Sequence, residues 1–321
     1  MTQKTNNLER RIFGPIPSRR LGKSLGVNNI PHKICTYQCK YCQIGKAIKM
    51  QVTRQEYFKP EDLVNEVKTV LSSIKNHQEY PDYITIVPDG EPTLDINLGE
   101  LIEKLKYLKI PVAVITNASL IHLPDVQNAL LKADYVSVKA DTFNAESWKR
   151  INIPHKSLNL NEIKSGISSF ASQYTGNLVT ETMVVKGIND SYSELENTAG
   201  CIKTFDPDTA YIAIPTRPPA FKDTMPPDEK DVNKAYHVFR EYIDKVELLT
   251  GYEGNAFSST GDFKVDILSI TAVHPMREEA VLELLHKTGD HNGLLASLIE
   301  DKLIEKLYYS GHIYYLRKFR K

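Results

Sequence analysis

Residues 35–42 read CTYQCKYC, which sets Cys35, Cys39 and Cys42 in a C-x3-C-x2-C spacing directly after the first strand-like run, Leu25–Ile30. Three thiols within eight residues can hold three corners of one metal centre. No fourth cysteine lies nearby, so a corner stays open, and in an iron–sulfur cluster an open corner lets one iron bind something other than protein. Zinc is the competing reading, since His32, three residues before Cys35, offers a fourth ligand. With four cysteines in 321 residues, three of them bunched, the chain is poorly laid out for a disulfide framework.

Outward from this loop, short β-branched runs alternate with longer amphipathic stretches, the pattern of repeated βα units about a parallel sheet. Strands are expected at Leu25–Ile30, Tyr83–Val87, Pro111–Thr116, Tyr135–Lys139, Leu178–Val185 and Ala210–Ile214. Helices are expected near Pro60–Ile74, Leu98–Tyr107, Asp125–Leu131, Leu160–Ser172, Ser191–Phe205 and Asp228–Asp244. The stretch from Pro60 shows the grounds: proline in the first turn, Glu61 and Asp62 at the positive end of the helix dipole, then Leu63, Val64, Val67, Val70 and Leu71 on one face. Six such units are too few for a closed (β/α)8 barrel. The expectation is an α/β fold, a partial (β/α)6 barrel over residues 1–245 with a basic N-terminal extension, then a connector over 246–273.

The pattern changes at Met276. Arg277–His286 and Asn292–Leu303 read as amphipathic helices, and Ile304–Leu316 alternates about Ser310-Gly311, a composition suited to a tight hairpin. Two helices followed by a hairpin predict a small winged-helix-like α+β module over 274–321. From residue 300 onward six Lys or Arg face three acids, with Tyr308, Tyr309, Tyr314 and Tyr315 interleaved. Modules of this kind bind nucleic acid or dock on protein.

Forty basic and forty acidic residues cancel, yet residues 1–54 hold eleven Lys or Arg against one acid, Glu9. So basic a block around the cysteines either attracts an anion, such as a phosphate, a carboxylate-bearing cofactor or nucleic acid, or spreads over solvated faces. Hydrophobic residues at 41% and charged residues at 25% fit a soluble globular chain and exclude a disordered or fibrous one. No apolar run approaches a membrane span, and the opening MTQKTNNLERRIF has no signal-peptide segment, so a cytoplasmic protein without membrane contact is expected.

Further polar residues fall at the expected carboxyl ends of strands, where parallel-sheet enzymes place their ligands. VPDGEPTL supplies Gly90 and Glu91 after the second strand, ITNA supplies Asn117 after the third, and VSVKAD supplies Ser137 and Lys139 on one face of the fourth. YIAIPTRPPA brings Ile212, Ile214 and Arg217 at the sixth. Arg19, Arg20 and Arg217 are candidates for substrate contact, because a guanidinium grips phosphate or carboxylate with two parallel bonds; the alternative is a structural ion pair. Lys139 reads either as a ligand-binding cation or as a lysine on a solvated edge. Two patterns are decoys. Gly22-Lys23-Ser24-Leu25-Gly26 fits G-x-S-x-G, but a strand follows that serine instead of preceding it, and a phosphate loop would need glycine where Pro17 stands. Cys201, in an amphipathic stretch, reads as a core residue.

The cysteine segment, with aromatic Tyr41 just before the third cysteine, together with GEPTL resembles the signature of the radical S-adenosylmethionine (SAM) superfamily. FGPIPSRRLGKSLGVN, GEPTL, RINIPH at Arg150–His155 and ITAVHPMRE at Ile270–Glu278 further resemble a branch related to the wyosine-forming tRNA enzymes, across nearly the whole chain. The resemblance implies a [4Fe–4S] cluster on Cys35, Cys39 and Cys42, with SAM bound at its open iron. It also implies a cofactor site of Tyr41, Gly90, Glu91, Asn117, Ser137, Lys139, Ile212 and Ile214, with Gly90 and Glu91 at the methionine amino group, Lys139 at the carboxylate and Ser137 at the ribose. Ile212 and Ile214 would pack near the adenine. The implied chemistry is reductive cleavage of SAM to methionine and a 5′-deoxyadenosyl radical that abstracts hydrogen from a substrate, with the electron coming from a donor such as flavodoxin or ferredoxin.

Two departures matter. Ser137 stands where relatives carry an acid, and the second set of cysteines of the wyosine enzymes is absent, only Cys201 being left over, so their pyruvate condensation is not implied. tRNA is the leading substrate, with a protein, a peptide or a small anionic metabolite as the alternative. A non-enzymatic alternative is an iron–sulfur or zinc sensor with a DNA-binding winged helix; GEPTL and the six-unit domain count against it, since a sensor needs neither.

Overall fold

Strands and helices alternate along most of the chain. The elements in order are β1 (Ile12–Ser18), β2 (Gly22–Val27), β3 (Ile34–Cys35), β4 (Lys49–Met50), α1 (Pro60–Ser73), β5 (Tyr83–Ile86), α2 (Leu98–Lys106), β6 (Val112–Thr116), α3 (Pro124–Leu130), β7 (Tyr135–Lys139), α4 (Ala145–Ile151), α5 (Leu160–Ala171) and β8 (Asn177–Met183). They continue as α6 (Tyr192–Lys203), β9 (Thr209–Ala213), α7 (Glu229–Tyr242), β10 (Val246–Leu249), α8 (Phe263–Val273), β11 (Met276–Arg277), α9 (Glu278–Thr288), α10 (Asn292–Glu300), β12 (Ile304–Tyr309) and β13 (His312–Arg317). The structure, a computed structural model, describes residues 11–318 apart from 75–78, 252, 253, 255, 256, 258, 260, 290 and 291. Lys4, Glu9 and Arg10 of the basic block, and Arg320 and Lys321 of the basic tail, lie outside the described residues.

Eight strands form one sheet in the order β1-β2-β5-β6-β7-β8-β9-β10, curled into an open half-barrel. From β2 to β10 every neighbouring pair is parallel, and β1 runs antiparallel to β2 at the edge. The six expected βα units are present, and β10 adds a seventh parallel strand. β1 reads IFGPIPS, with two prolines that cannot donate to a ladder, and the sheet edge is where such a strand is tolerated. The two-residue alternation of each strand splits its side chains. Val112, Val114, Val136, Val138, Leu178, Ala210 and Ile212 turn outward to the helices, whereas Ala113, Tyr135, Val179, Tyr211, Ala213 and Leu249 form a separate cluster on the other, concave face.

A second core gathers Phe257, Phe263, Ile267, Ile270, Met276, Val281, Leu284, Leu298 and Tyr315, with Ile16 of β1 packed against it. The segment expected as a connector thus holds β10, which extends the barrel sheet, and α8, which shares this second core. After α9 and α10 the chain closes a three-stranded sheet in the order β11-β13-β12. Its hairpin turns at Ser310 and Gly311, whose φ values of 47° and 81° are the pair of left-handed conformations that a two-residue turn with the right twist requires. Tyr309 and Tyr314 donate their hydroxyls to the carbonyls of Pro215 and Thr216 at 3.0 and 2.8 Å, tying this sheet to the loop after β9. Among the described residues no helix is long and apolar enough to cross a membrane.

Candidate active site

The cysteine loop leaves the carboxyl end of β2 and is clamped from both sides by backbone hydrogen bonds. From the segment after β5, Asp89 C=O accepts from Lys33 N–H at 3.1 Å, and Glu91 N–H donates to Ile34 C=O at 3.1 Å. From the last residue of α4 and the segment after it, the Asn152 and Ile151 carbonyls accept from Gln38 and Lys40 at 3.0 and 2.8 Å, and His155 N–H donates to Thr36 C=O at 2.9 Å. The Trp148 indole N–H donates to Tyr37 Oη at 3.2 Å with the rings edge to face. RINIPH is therefore the clamp on the cysteine loop, and its Ile153 takes a left-handed φ of 43°, uncommon for a β-branched residue.

Cys35, Cys39 and Cys42 all line one cavity of about 350 Å³. Each keeps a face open to it, yet the protein packed around them pushes all three thiols up. Burial and then the Asp141 carboxylate carry Cys39 to about 12, against a hydrogen bond from Asn152. A metal bound here must displace those protons, and the three thiols lie in one wall where a single metal centre can take them together. Among the described residues no three His, Cys, Asp or Glu converge on the position of a single ion. His32 Nδ1 is turned to the Asp89 carboxylate, and His32 is not among the residues that line the cavity with the three cysteines. A four-iron cluster spreads its thiolates over separate corners, which suits this donor set better.

The missing side chain of Gly90 faces the cysteine strand: a Cβ there would lie 2.0 Å from Ile34 C=O. Glu91, 1% exposed, turns its carboxylate inward to cap the short 3-10 turn Pro92–Leu94. Its oxygens accept from Thr93 N–H, Thr93 Oγ1, Thr116 Oγ1 and Asn117 N–H at 3.1, 2.6, 2.5 and 2.8 Å. Burial raises its pKa and these four donors oppose the rise. Asn117 Nδ2 donates to Thr36 Oγ1 at 2.8 Å and stands 3.6 Å from Cys35 Sγ. On the opposite side, Asn152 Nδ2 donates to Asp141 Oδ2 at 2.7 Å and lies 3.5 Å from Cys39 Sγ. Tyr41 donates its hydroxyl to the same Asp141 carboxylate.

Across the cavity, Lys139 pairs with Glu181 and sets its ammonium 5.0 Å from the centre of the Tyr41 ring. Arg20 pairs with the other oxygen of Glu181. Burial pushes the Glu181 carboxyl up, but Arg20 and Lys139 outweigh it and hold it at about 2. Two expected contacts are not in the cavity wall. Ser137, 1% exposed, lies beneath Arg20 at 3.4 Å, and Ile212 is turned by strand alternation into the helix-facing core, while Ile214, beyond the end of β9, does line the cavity. Tyr41, Gly90, Glu91, Asn117 and Lys139 line it too, as do Arg19, Arg20 and Arg217. Arg19 donates to the Leu249 and Gly251 carbonyls, and Arg217 to Gln43 and to His274 Nε2, the latter at 3.2 Å.

Four of the eleven basic residues of the N-terminal block are held in ion pairs, Arg11, Arg20, Lys40 and Arg54 with Glu66, Glu181, Asp223 and Asp125. Sequence reading passed over Glu181, Asn152 and His274. The signal for Glu181 was a lone acid on the Val179–Glu181–Met183 face of a strand, and for the other two the quoted RINIPH and ITAVHPMRE segments. His274 is held neutral, its pKa well below the usual range, by burial and by Arg217 and Arg19.

An open half-barrel with a three-thiol loop at the carboxyl end of its first parallel strand matches the comparisons. The chain belongs to the radical SAM superfamily, whose profile matches residues 29–199. It is an enzyme of that class, and the cofactors of the class are a [4Fe–4S] cluster and SAM. A UPF0026 protein of Methanocaldococcus jannaschii is 42% identical over 310 residues, 96% of each chain, and one of Helicobacter pylori is 37% identical over 66% of this chain and 68% of its own. The structure of TYW1 with a lysine-pyruvate adduct bound superposes with a TM-score of 0.53 at 15% identity over 70% of this chain and 76% of that one. SuiB of Streptococcus suis bound to S-adenosylmethionine gives 0.52 at 14% identity over 71% and 51%. At these identities the likeness is one of fold. With the family shown, the zinc and sensor readings fall.

Proposed function

We propose that Cys35, Cys39 and Cys42 hold the cluster, that the cavity beside them holds SAM, and that the enzyme abstracts hydrogen from an RNA substrate, tRNA first. The observation that carries the site is the convergence of three thiols, the Gly90–Glu91 segment and Lys139 on one cavity. When bound, the cluster and SAM supply a 5′-deoxyadenosyl radical. The chain's own residues bind, orient and shield. The Gly90–Glu91 backbone receives the methionine ammonium while the Glu91 carboxylate braces the turn from within, and Lys139, poised between Glu181 and the Tyr41 ring, takes the carboxylate. Asn117 lines the same cavity, and Ile214 with the backbone beyond β9 would flank the adenine. Ser137 and Ile212 act from behind the wall.

Residues 1–245 serve as the radical-generating body and 274–321, with α8, as a winged-helix-like module that docks the RNA. The exposed Tyr308 and the basic tail support this role, whereas Lys306 is engaged by Glu278 at 3.0 Å. A reducing, cytoplasmic setting would suit its four free cysteines. The test is to incubate reconstituted enzyme with SAM, a reductant and bulk tRNA, then digest the tRNA to nucleosides for mass analysis. A tRNA-dependent rise in 5′-deoxyadenosine with a new nucleoside mass supports tRNA; a rise with peptide or small anions alone replaces it.

A further inference from the structure

Immediately after Cys42 the chain forms a wall one strand thick between the cavity and solvent. Gln43, Ile44, Gly45 and Ala47 line the cavity from inside, whereas Lys46, Ile48 and Lys49 face out, Ile48 being 73% exposed. The wall is short because it is pinned at both ends. Gly45 N–H donates to Cys42 C=O at 3.1 Å, Ile48 N–H to Lys33 C=O at 3.0 Å, and Lys49-Met50 pairs in register with Ile34-Cys35. The outer surface therefore backs directly onto two of the three thiol-bearing residues. Its chemistry is cationic: Lys46 and Lys49 form no ion pair among the described residues, and residues 40–49 hold three lysines and no acid. The Lys46 ammonium sits 4.3 Å from the centre of the Phe221 ring, and Lys222 follows in the same loop, fastened to the cysteine loop by Phe221 N–H to Lys40 C=O at 3.2 Å. Exposed Met225 continues the patch with apolar surface.

We infer that this wall, Lys46-Ala47-Ile48-Lys49 with Phe221 and Lys222, is the docking surface for an acidic one-electron donor protein of the flavodoxin kind. The inference rests on the cluster reading above. An unpaired cationic rim around one exposed aliphatic residue matches an anionic partner with an apolar centre, and electrostatic matching of this sort sets encounter rate and orientation. No other face need be used, because an electron delivered at Ile48 or Lys49 enters beside Cys35 and Cys42, with one layer of chain to cross. Lys40 is excluded from the rim, since Asp223 at 2.5 Å neutralises it.

The holoenzyme is assayed for SAM cleavage to 5′-deoxyadenosine with two reductants, dithionite, a small ion that needs no docking, and reduced flavodoxin. For the Lys46→Glu/Lys49→Glu double variant the flavodoxin-driven rate should fall about tenfold at low salt while the dithionite-driven rate stays at the wild-type value. Rising salt should bring the wild-type flavodoxin rate down toward that of the variant, and Lys68→Glu on α1 should change neither. Equal flavodoxin rates in the double variant and wild type overturn the inference, as does a parallel loss with dithionite, which would make the wall merely structural. If wild-type enzyme cleaves no SAM with dithionite, the cluster reading fails and takes the docking surface with it.

Discussion

Gly90 and Ile34 meet so closely that a Cβ on residue 90 would lie 2.0 Å from the Ile34 carbonyl oxygen. That oxygen also accepts the Glu91 N–H at 3.1 Å, so the segment after β5 and the strand bearing Cys35 are locked together at the point where glycine is needed. The glycine serves the approach of two stretches of chain to one another. A carbonyl oxygen cannot give way as a flexible side chain can. Gly90→Ala should therefore cost about 1–3 kcal/mol in urea unfolding, the usual range for overpacking, and lower the iron bound on reconstitution.

Asn152 stands 3.5 Å from Cys39 Sγ, and hydrogen bonds to cluster sulfurs raise the reduction potential. Asn152→Leu should keep the cluster, seen as unchanged iron and sulfide content, and shift its potential to a more negative value in an EPR-monitored redox titration. An unchanged potential would leave Asn152 only its clamp on the cysteine loop.

Glu181 carries a pH dependence whose sign follows from its depressed pKa. Its carboxyl falls from 4.5 to about 2 on folding, so the native state gains from its ionised form above pH 4.5 and loses that gain as pH drops through 2. Stability measured by urea unfolding should decline over this window. Glu181→Gln should flatten the decline and, at pH 7, cost about 3–5 kcal/mol by leaving Arg20 and Lys139 buried side by side without their counter-charge.

The four cysteines should divide cleanly. Alanine at Cys35, Cys39 or Cys42 should abolish the cluster, read as loss of iron and of the charge-transfer absorption. Cys201→Ala, in the buried face of α6, should retain both, at a modest cost in stability for a small cavity.

Most of the barrel was legible because its strands and helices keep clean periods, and every expected βα strand and helix has a counterpart within a few residues of its expected bounds. The misses have physical causes. β1 hides behind Pro15 and Pro17, which only an edge strand tolerates. α8, FKVDILSITAV, shows no single apolar stripe because it is wedged between the second core and β1 and is buried on several sides. In the site, the cysteine spacing and the Gly90–Glu91 element could be read locally. The Arg20–Glu181–Lys139 group could not, because its members lie 161 and 42 residues apart and meet only when the turn between β1 and β2 comes to lie beside β7 and β8. Ile212 was placed on the wrong face because Ile214, two residues on, lies past the strand where alternation no longer holds.

The central claim is that three thiols and the cavity beside them make this chain a radical SAM enzyme. The most direct measurement is anaerobic reconstitution with iron and sulfide, reduction with dithionite, addition of SAM and quantification of 5′-deoxyadenosine and methionine, alongside the Cys35→Ala/Cys39→Ala/Cys42→Ala triple variant. Both products in equal amounts from the wild type and none from the triple variant are the predicted result. A wild-type protein that assembles the four-iron cluster yet leaves SAM intact, or a triple variant that still cleaves it, would contradict the account.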